Sequence, residues 1–133
     1  MRYGSIVFNT NQLFDFDRSN NITKNHNDFV GSAMHEIGHL LGCVRSLDLQ
    51  TSVAPYVLDL FRVSQDGSNM FSKLNPAYFS LAKSIKLSNG NNDQASHWDD
   101  SDLIMNATSY KGVQLKIQTN DLKGFDVIGW NVI

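Results

Sequence analysis

From Val30 onward the apolar positions fall at Val30, Ala33, Met34, Ile37, Leu40 and Leu41, the three- and four-residue spacing of an amphipathic helix with one buried face. Asn27 or Asp28 can cap its start, and Gly42 stands where a left-handed residue would end it. Elsewhere the pattern shortens. Residues 5–9 (SIVFN) and 13–17 (LFDFD) read as strands joined by a polar turn at 9–12, and the Asn-rich stretch 19–27 reads as a loop. Residues 53–63 mix β-branched and aromatic side chains around Pro55, which predicts extended structure. A turn at 65–69, strands at 77–81 and 84–87 and a loop at 88–93 follow. Thr119 or Asn120 can cap a short helix over 121–127, with Asp121 in its first turn and Gly129 releasing the chain.

With 133 residues, 41% of them hydrophobic and 11% aromatic, the chain suits one domain spanning 1–133 with a core of its own. A net charge of −2, without Lys or Arg runs, provides no footprint for nucleic acid or an anionic membrane. No apolar run reaches the roughly 18 residues that a membrane span requires. The first residues lack the charged, apolar and cleavable regions of a signal peptide. The one cysteine, Cys43, rules out an internal disulfide and reads as a small buried apolar residue just past the helix.

The predicted helix carries His35-Glu36-Ile37-Gly38-His39, an H-E-x-x-H pattern. At about 100° per residue, two histidines four apart share a face, where their nitrogens can converge on one zinc ion. Glu36 projects beside them as a candidate general base for a water that zinc acidifies. Catalytic zinc usually takes a third protein ligand. The residues leave four candidates for it: His26, His97, Asp48 and Asp59. A downstream glutamate is not among them, because Glu36 is the only glutamate in the chain, which excludes a gluzincin-type site.

H-E-x-x-H-x-x-G, from His35 to Gly42, resembles the metzincin zinc endopeptidases. Many of these place the third ligand three residues after the glycine, where this chain has Arg45, a side chain that stays charged and cannot bind a cation. Ser96-His97-Trp98 followed by Leu103-Ile104-Met105-Asn106 is similar to the leishmanolysin branch, in which a long insertion precedes the third histidine and a methionine turn follows it. The ordered elements HEIGHLLG, DLFR, QASHW, IM and DLKGFDVIGW also resemble bacterial secreted metalloproteases.

This resemblance implies zinc held by His35, His39 and His97, Glu36 as general base, Met105 as an apolar floor, and a polypeptide substrate. It also implies secretion or an extracellular location. The expected fold is α/β (α+β), a metzincin-like domain with a twisted sheet packed on the active-site helix and an irregular C-terminal subdomain. Because only 28 residues precede Phe29, the chain reads as N-terminally truncated, with residues 5–9 as the edge strand against which substrate would pair. Trp98 and Trp130 read as scaffold, His26 as solvated, and Asp59 as a turn or ion-pair residue or a partner to a ligand histidine. The competing functional reading is a zinc- or protein-binding domain that keeps the scaffold without turnover.

Overall fold

Asp28 decides where the long helix begins. In the computed structural model, which describes residues 4–48, 54–73, 76–88, 95–99 and 103–132, the Asp28 carboxylate accepts the Gly31 N–H at 3.0 Å, and α1 spans Phe29–Leu40. Such a cap is worth about 1 kcal/mol. The same buried carboxylate accepts the Leu115 N–H at 3.0 Å and pairs with Arg18 at 3.0 Å, so its charge is met from three sides. At the other end Cys43 N–H reaches Gly38 O at 3.0 Å and Gly42 N–H reaches His39 O at 3.1 Å, with Gly42 at φ 107°. That crossed pair of bonds is the Schellman stop, and its left-handed residue is why glycine stands there.

The described residues form a small mixed α/β fold with two helices and two small sheets. β1 (Phe14–Asp15) pairs in parallel with β2 (Asn27–Asp28), immediately before α1. Two 3-10 turns follow α1, at Ser46–Asp48 and Val57–Phe61. β3 (Arg62–Val63), β4 (Ala77–Phe79) and β5 (Ala82–Leu87) then form an antiparallel sheet in that order. Trp98 continues this sheet through bridges to Leu87 on one side and Asn106 on the other. The chain closes with α2 (Thr119–Val127). Among the described residues, no helix is long and apolar enough to cross a membrane.

The core lies between the antiparallel sheet and the turn at 103–106. Leu58, Phe79, Leu87, Trp98, Ile104 and Met105 are buried in it, and the Phe79 and Trp98 rings meet edge to face at 5.3 Å.

Four expectations need correction. Residues 5–9 form no strand: β1 takes β2 as its partner, and Phe8 of this segment packs against Phe14 and Phe29, while Val7 stays 90% exposed. The described part of 53–63 is a 3-10 turn rather than an extended run up to Phe61. Asp59 bends it by accepting the Tyr56 N–H at 2.7 Å and the Ser46 N–H at 2.8 Å. The apolar stripe of α1 is covered only in part, with Met34 packed against the core. Gly31 and Gly38 are the buried positions, because Leu115 and Met105 approach the helix there, while Ile37, Leu40 and Leu41 remain exposed on the outer side. The sheet next to α1 is the two-residue parallel pairing, and the larger sheet is built from residues after the helix. Residues 89–93 of the expected loop lie outside the described residues.

Candidate metal centre

His35 and His39 stand one helical turn apart on α1, and a third ring reaches them from the segment bridged to β5. The Nε2 atoms form a nearly equilateral triangle: His35 to His39 3.1 Å, His39 to His97 3.1 Å and His35 to His97 3.2 Å. The rings of His35 and His97 lie nearly parallel, and that of His39 is nearly perpendicular to both.

Backbone carbonyls fix how two of these rings present their nitrogens. His35 Nδ1 lies 2.7 Å from Ile104 O, and His39 Nδ1 lies 2.7 Å from Cys43 O. A carbonyl oxygen can only accept, so each Nδ1 carries the proton and donates. Each Nε2 is then left with a bare lone pair aimed at its neighbours. Lone pairs meeting at 3.1 Å repel unless a cation sits between them, and burial pushes the His35 pKa below its ordinary value, which favours the neutral ligand form. For a tetrahedral ion bound at 2.0–2.1 Å, donor atoms should be about 3.3 Å apart, close to the triangle found here. His35, His39 and His97 can therefore hold a metal ion.

The turn at 103–106 is fastened to this centre from below. Met105 is buried and packs against Gly38, the residue before His39; a Cβ added at Gly38 would meet its sulfur at 2.5 Å. Asp121 holds the turn. Its buried carboxylate accepts N–H bonds from Ile104 (3.1 Å), Met105 (3.2 Å) and Gln118 (2.9 Å), and from Trp98 Nε1 (2.9 Å). Burial still pushes its pKa up despite these four donors. Sequence reasoning placed Asp121 at a helix start but missed that it binds the third-histidine segment, the methionine turn and α2 together. An acid three residues after a cap position was the available signal.

Glu36 is exposed on the wall of a cleft of about 320 Å³ that also includes His35, His39, His97, Asn106 and Thr108. A second hollow of about 370 Å³ shares Ser32, Glu36 and Ser109 with the first, so Glu36 stands on the wall of both.

The other candidates lie elsewhere. Asp48 bonds to the backbone at Ala95 and Ser96, and Asp59 bonds to Ser46 and Tyr56. His26 is half-buried, with Nδ1 3.2 Å from Lys24 O. Arg45 is buried, and its guanidinium donates to Leu58 O. Cys43 is buried, which pushes its thiol up to about 12, and it serves the site through its carbonyl. Trp98 is buried as scaffold, whereas Trp130 is 45% exposed and its indole N–H donates to Leu41 O at 2.9 Å. No family model, curated protein or solved structure matches this chain.

Proposed function

We propose that this protein is a zinc-dependent endopeptidase of metzincin type, closest in plan to the leishmanolysin branch, that acts on polypeptides outside the cell. The observation that carries this reading is the triangle of Nε2 atoms at 3.1–3.2 Å with Glu36 on the adjoining cleft wall. A purely structural zinc site is closed by four protein ligands, whereas three ligands beside an open groove suit catalysis. Zinc, when bound, supplies a Lewis acid for a peptide carbonyl and brings the ionisation of water towards neutral pH.

The chain's own residues do the rest. Glu36 takes the proton of the attacking water and returns it to the departing amine nitrogen. The two hollows that meet at Glu36 receive an internal stretch of polypeptide, and Ser32, Asn106 and Thr108 provide polar groups in them. Met105 beneath α1 keeps the floor apolar and dry.

Metal analysis of the purified protein beside cleavage of a denatured polypeptide, with and without chelator, tests the proposal. Stoichiometric zinc and chelator-sensitive internal cleavage are expected. Zinc binding without cleavage would favour the alternative, a non-catalytic metal-binding domain, which the lack of an edge strand at residues 5–9 supports.

A further inference from the structure

The third histidine lies 58 positions after His39, yet its ring is placed to within 3.1 Å of its partner. Something must fix the segment that carries it, and the hydrogen bonds identify the group. Asp48 ends the 3-10 turn that follows α1. Its Oδ1 accepts the Ala95 N–H at 2.7 Å, while its Oδ2 accepts the Ser96 N–H at 2.6 Å and the Ser96 hydroxyl. The Ser96 hydroxyl oxygen in turn accepts the Arg45 N–H at 2.9 Å. One carboxylate therefore grips the two residues immediately before His97, and the backbone of the α1 exit grips the same serine.

On the far side, Ser88 N–H donates to His97 O at 3.0 Å, so the histidine is held from both directions. Bonds to a charged acceptor are roughly twice as strong as neutral ones, and Asp48 supplies three of them. Asp48 is itself only partly buried, and its charge also faces the buried guanidinium groups of Arg45 and Arg62.

We propose that Asp48 is a positioning residue of the metal centre: by binding Ala95 and Ser96 it sets the reach of His97 towards His35 and His39 without touching the ion. This inference rests on the metal-centre reading above. The exit of α1 thus aligns the centre twice, through the Cys43 carbonyl on His39 and through Asp48 on the His97 segment.

The test compares wild type with D48N, S96A and H97A. Zinc affinity is read by competition with a chromophoric chelator, the visible spectrum of the cobalt-loaded protein reports coordination geometry, and far-UV circular dichroism reports the fold. D48N should lower zinc affinity by about 10–100-fold, as loss of a group that orients a ligand does. It should also alter the cobalt spectrum while the circular dichroism stays at the wild-type value. S96A, which removes the hydroxyl's bond to Asp48 and its bond from the Arg45 N–H, should lower affinity by at least about fivefold. H97A should abolish the tetrahedral cobalt spectrum, and a wild-type spectrum in H97A would sink the three-histidine centre itself. Loss of the spectrum in H97A together with wild-type affinity and spectrum in D48N and S96A would overturn the role of Asp48 and leave the centre standing. Should D48N fail to fold, S96A decides the question by the same two readouts.

Discussion

His35 Nδ1 lies 2.7 Å from the carbonyl oxygen of Ile104, so the first histidine of α1 is bonded directly to the turn that carries Met105. The bond fixes the tautomer of His35, as the Cys43 carbonyl fixes that of His39. In the metal-free protein both rings should therefore be protonated at Nδ1 and bare at Nε2. Long-range proton–nitrogen correlation spectra of the imidazoles would check this, and an Nε2–H tautomer at either residue would remove the argument for a converging lone-pair set.

Glu36→Gln should leave zinc binding intact and lower peptide turnover by at least about a hundredfold, the lower range for losing a general base. This prediction follows from the position of Glu36 on the cleft wall, outside the nitrogen triangle. Single-turnover cleavage beside zinc content separates the outcomes. Lost zinc would make Glu36 a ligand, and unchanged cleavage would take it out of the mechanism.

Gly38→Ala sets two effects against each other. Alanine is the better helix former by about 0.8–1.0 kcal/mol. The new methyl group, however, would lie 2.5 Å from the Met105 sulfur and 3.2 Å from the Phe125 ring, and overpacking of this kind costs about 1–3 kcal/mol. Net destabilisation is expected in urea denaturation. A more stable variant would show that Met105 yields freely and does not form a firm floor.

Asp121→Ala leaves four N–H donors without their acceptor, three of them on the backbone. Each buried donor left unmade costs about 1–3 kcal/mol, so a loss of at least about 3 kcal/mol is expected even if water reaches some of them. Denaturant melts read this directly. A loss below about 1 kcal/mol would mean that the turn holds itself without Asp121.

Asp15 sets a pH signature far from the centre. Its carboxylate accepts the Thr23 hydroxyl at 2.6 Å, the Thr23 N–H at 2.7 Å and the Asp17 N–H at 2.9 Å, and these bonds lower its pKa from 3.8 to about 2. Because the folded value lies below the unfolded one, the carboxylate's contribution is fully present above about pH 4 and is lost as pH falls towards about 2. The stability gap between wild type and Asp15→Asn should therefore be constant near neutrality and close between those values. A gap that does not change with pH would contradict the bonding at Thr23.

The sequence made the helix and its chemistry legible because capping, periodicity and H-E-x-x-H spacing are local properties of residues 28–42. Asp28 and Gly42 stand at the boundaries they predict. The same periodicity misled on burial, because periodicity locates an apolar face without saying what packs against it. Met105 and Leu115 approach the two glycines and leave Ile37 and Leu40 outside. Residues 57–61 depart from the extended reading for a similar reason: Asp59 accepts the Tyr56 N–H within the turn and the Ser46 N–H from outside it, partners that alternation cannot reveal. His97 was singled out only through its S-H-W context, since a histidine 58 positions from its partner carries no spacing signal. Asp48, weighed as a ligand, has both oxygens turned to the backbone at Ala95 and Ser96.

The distance along the chain between His39 and His97 also governs when the centre can exist. The third ring stands on the segment that Trp98 bridges to Leu87 of β5, so a chain without that sheet has only the helical pair in place for an ion. The closure that brings so long a segment back to the helix is offset by sheet and core contacts that need no ion. Tight metal capture should thus be the last event of folding. Trp98, buried beside the third ligand, supplies the clock: its fluorescence change should precede the appearance of the tetrahedral cobalt spectrum in stopped-flow refolding.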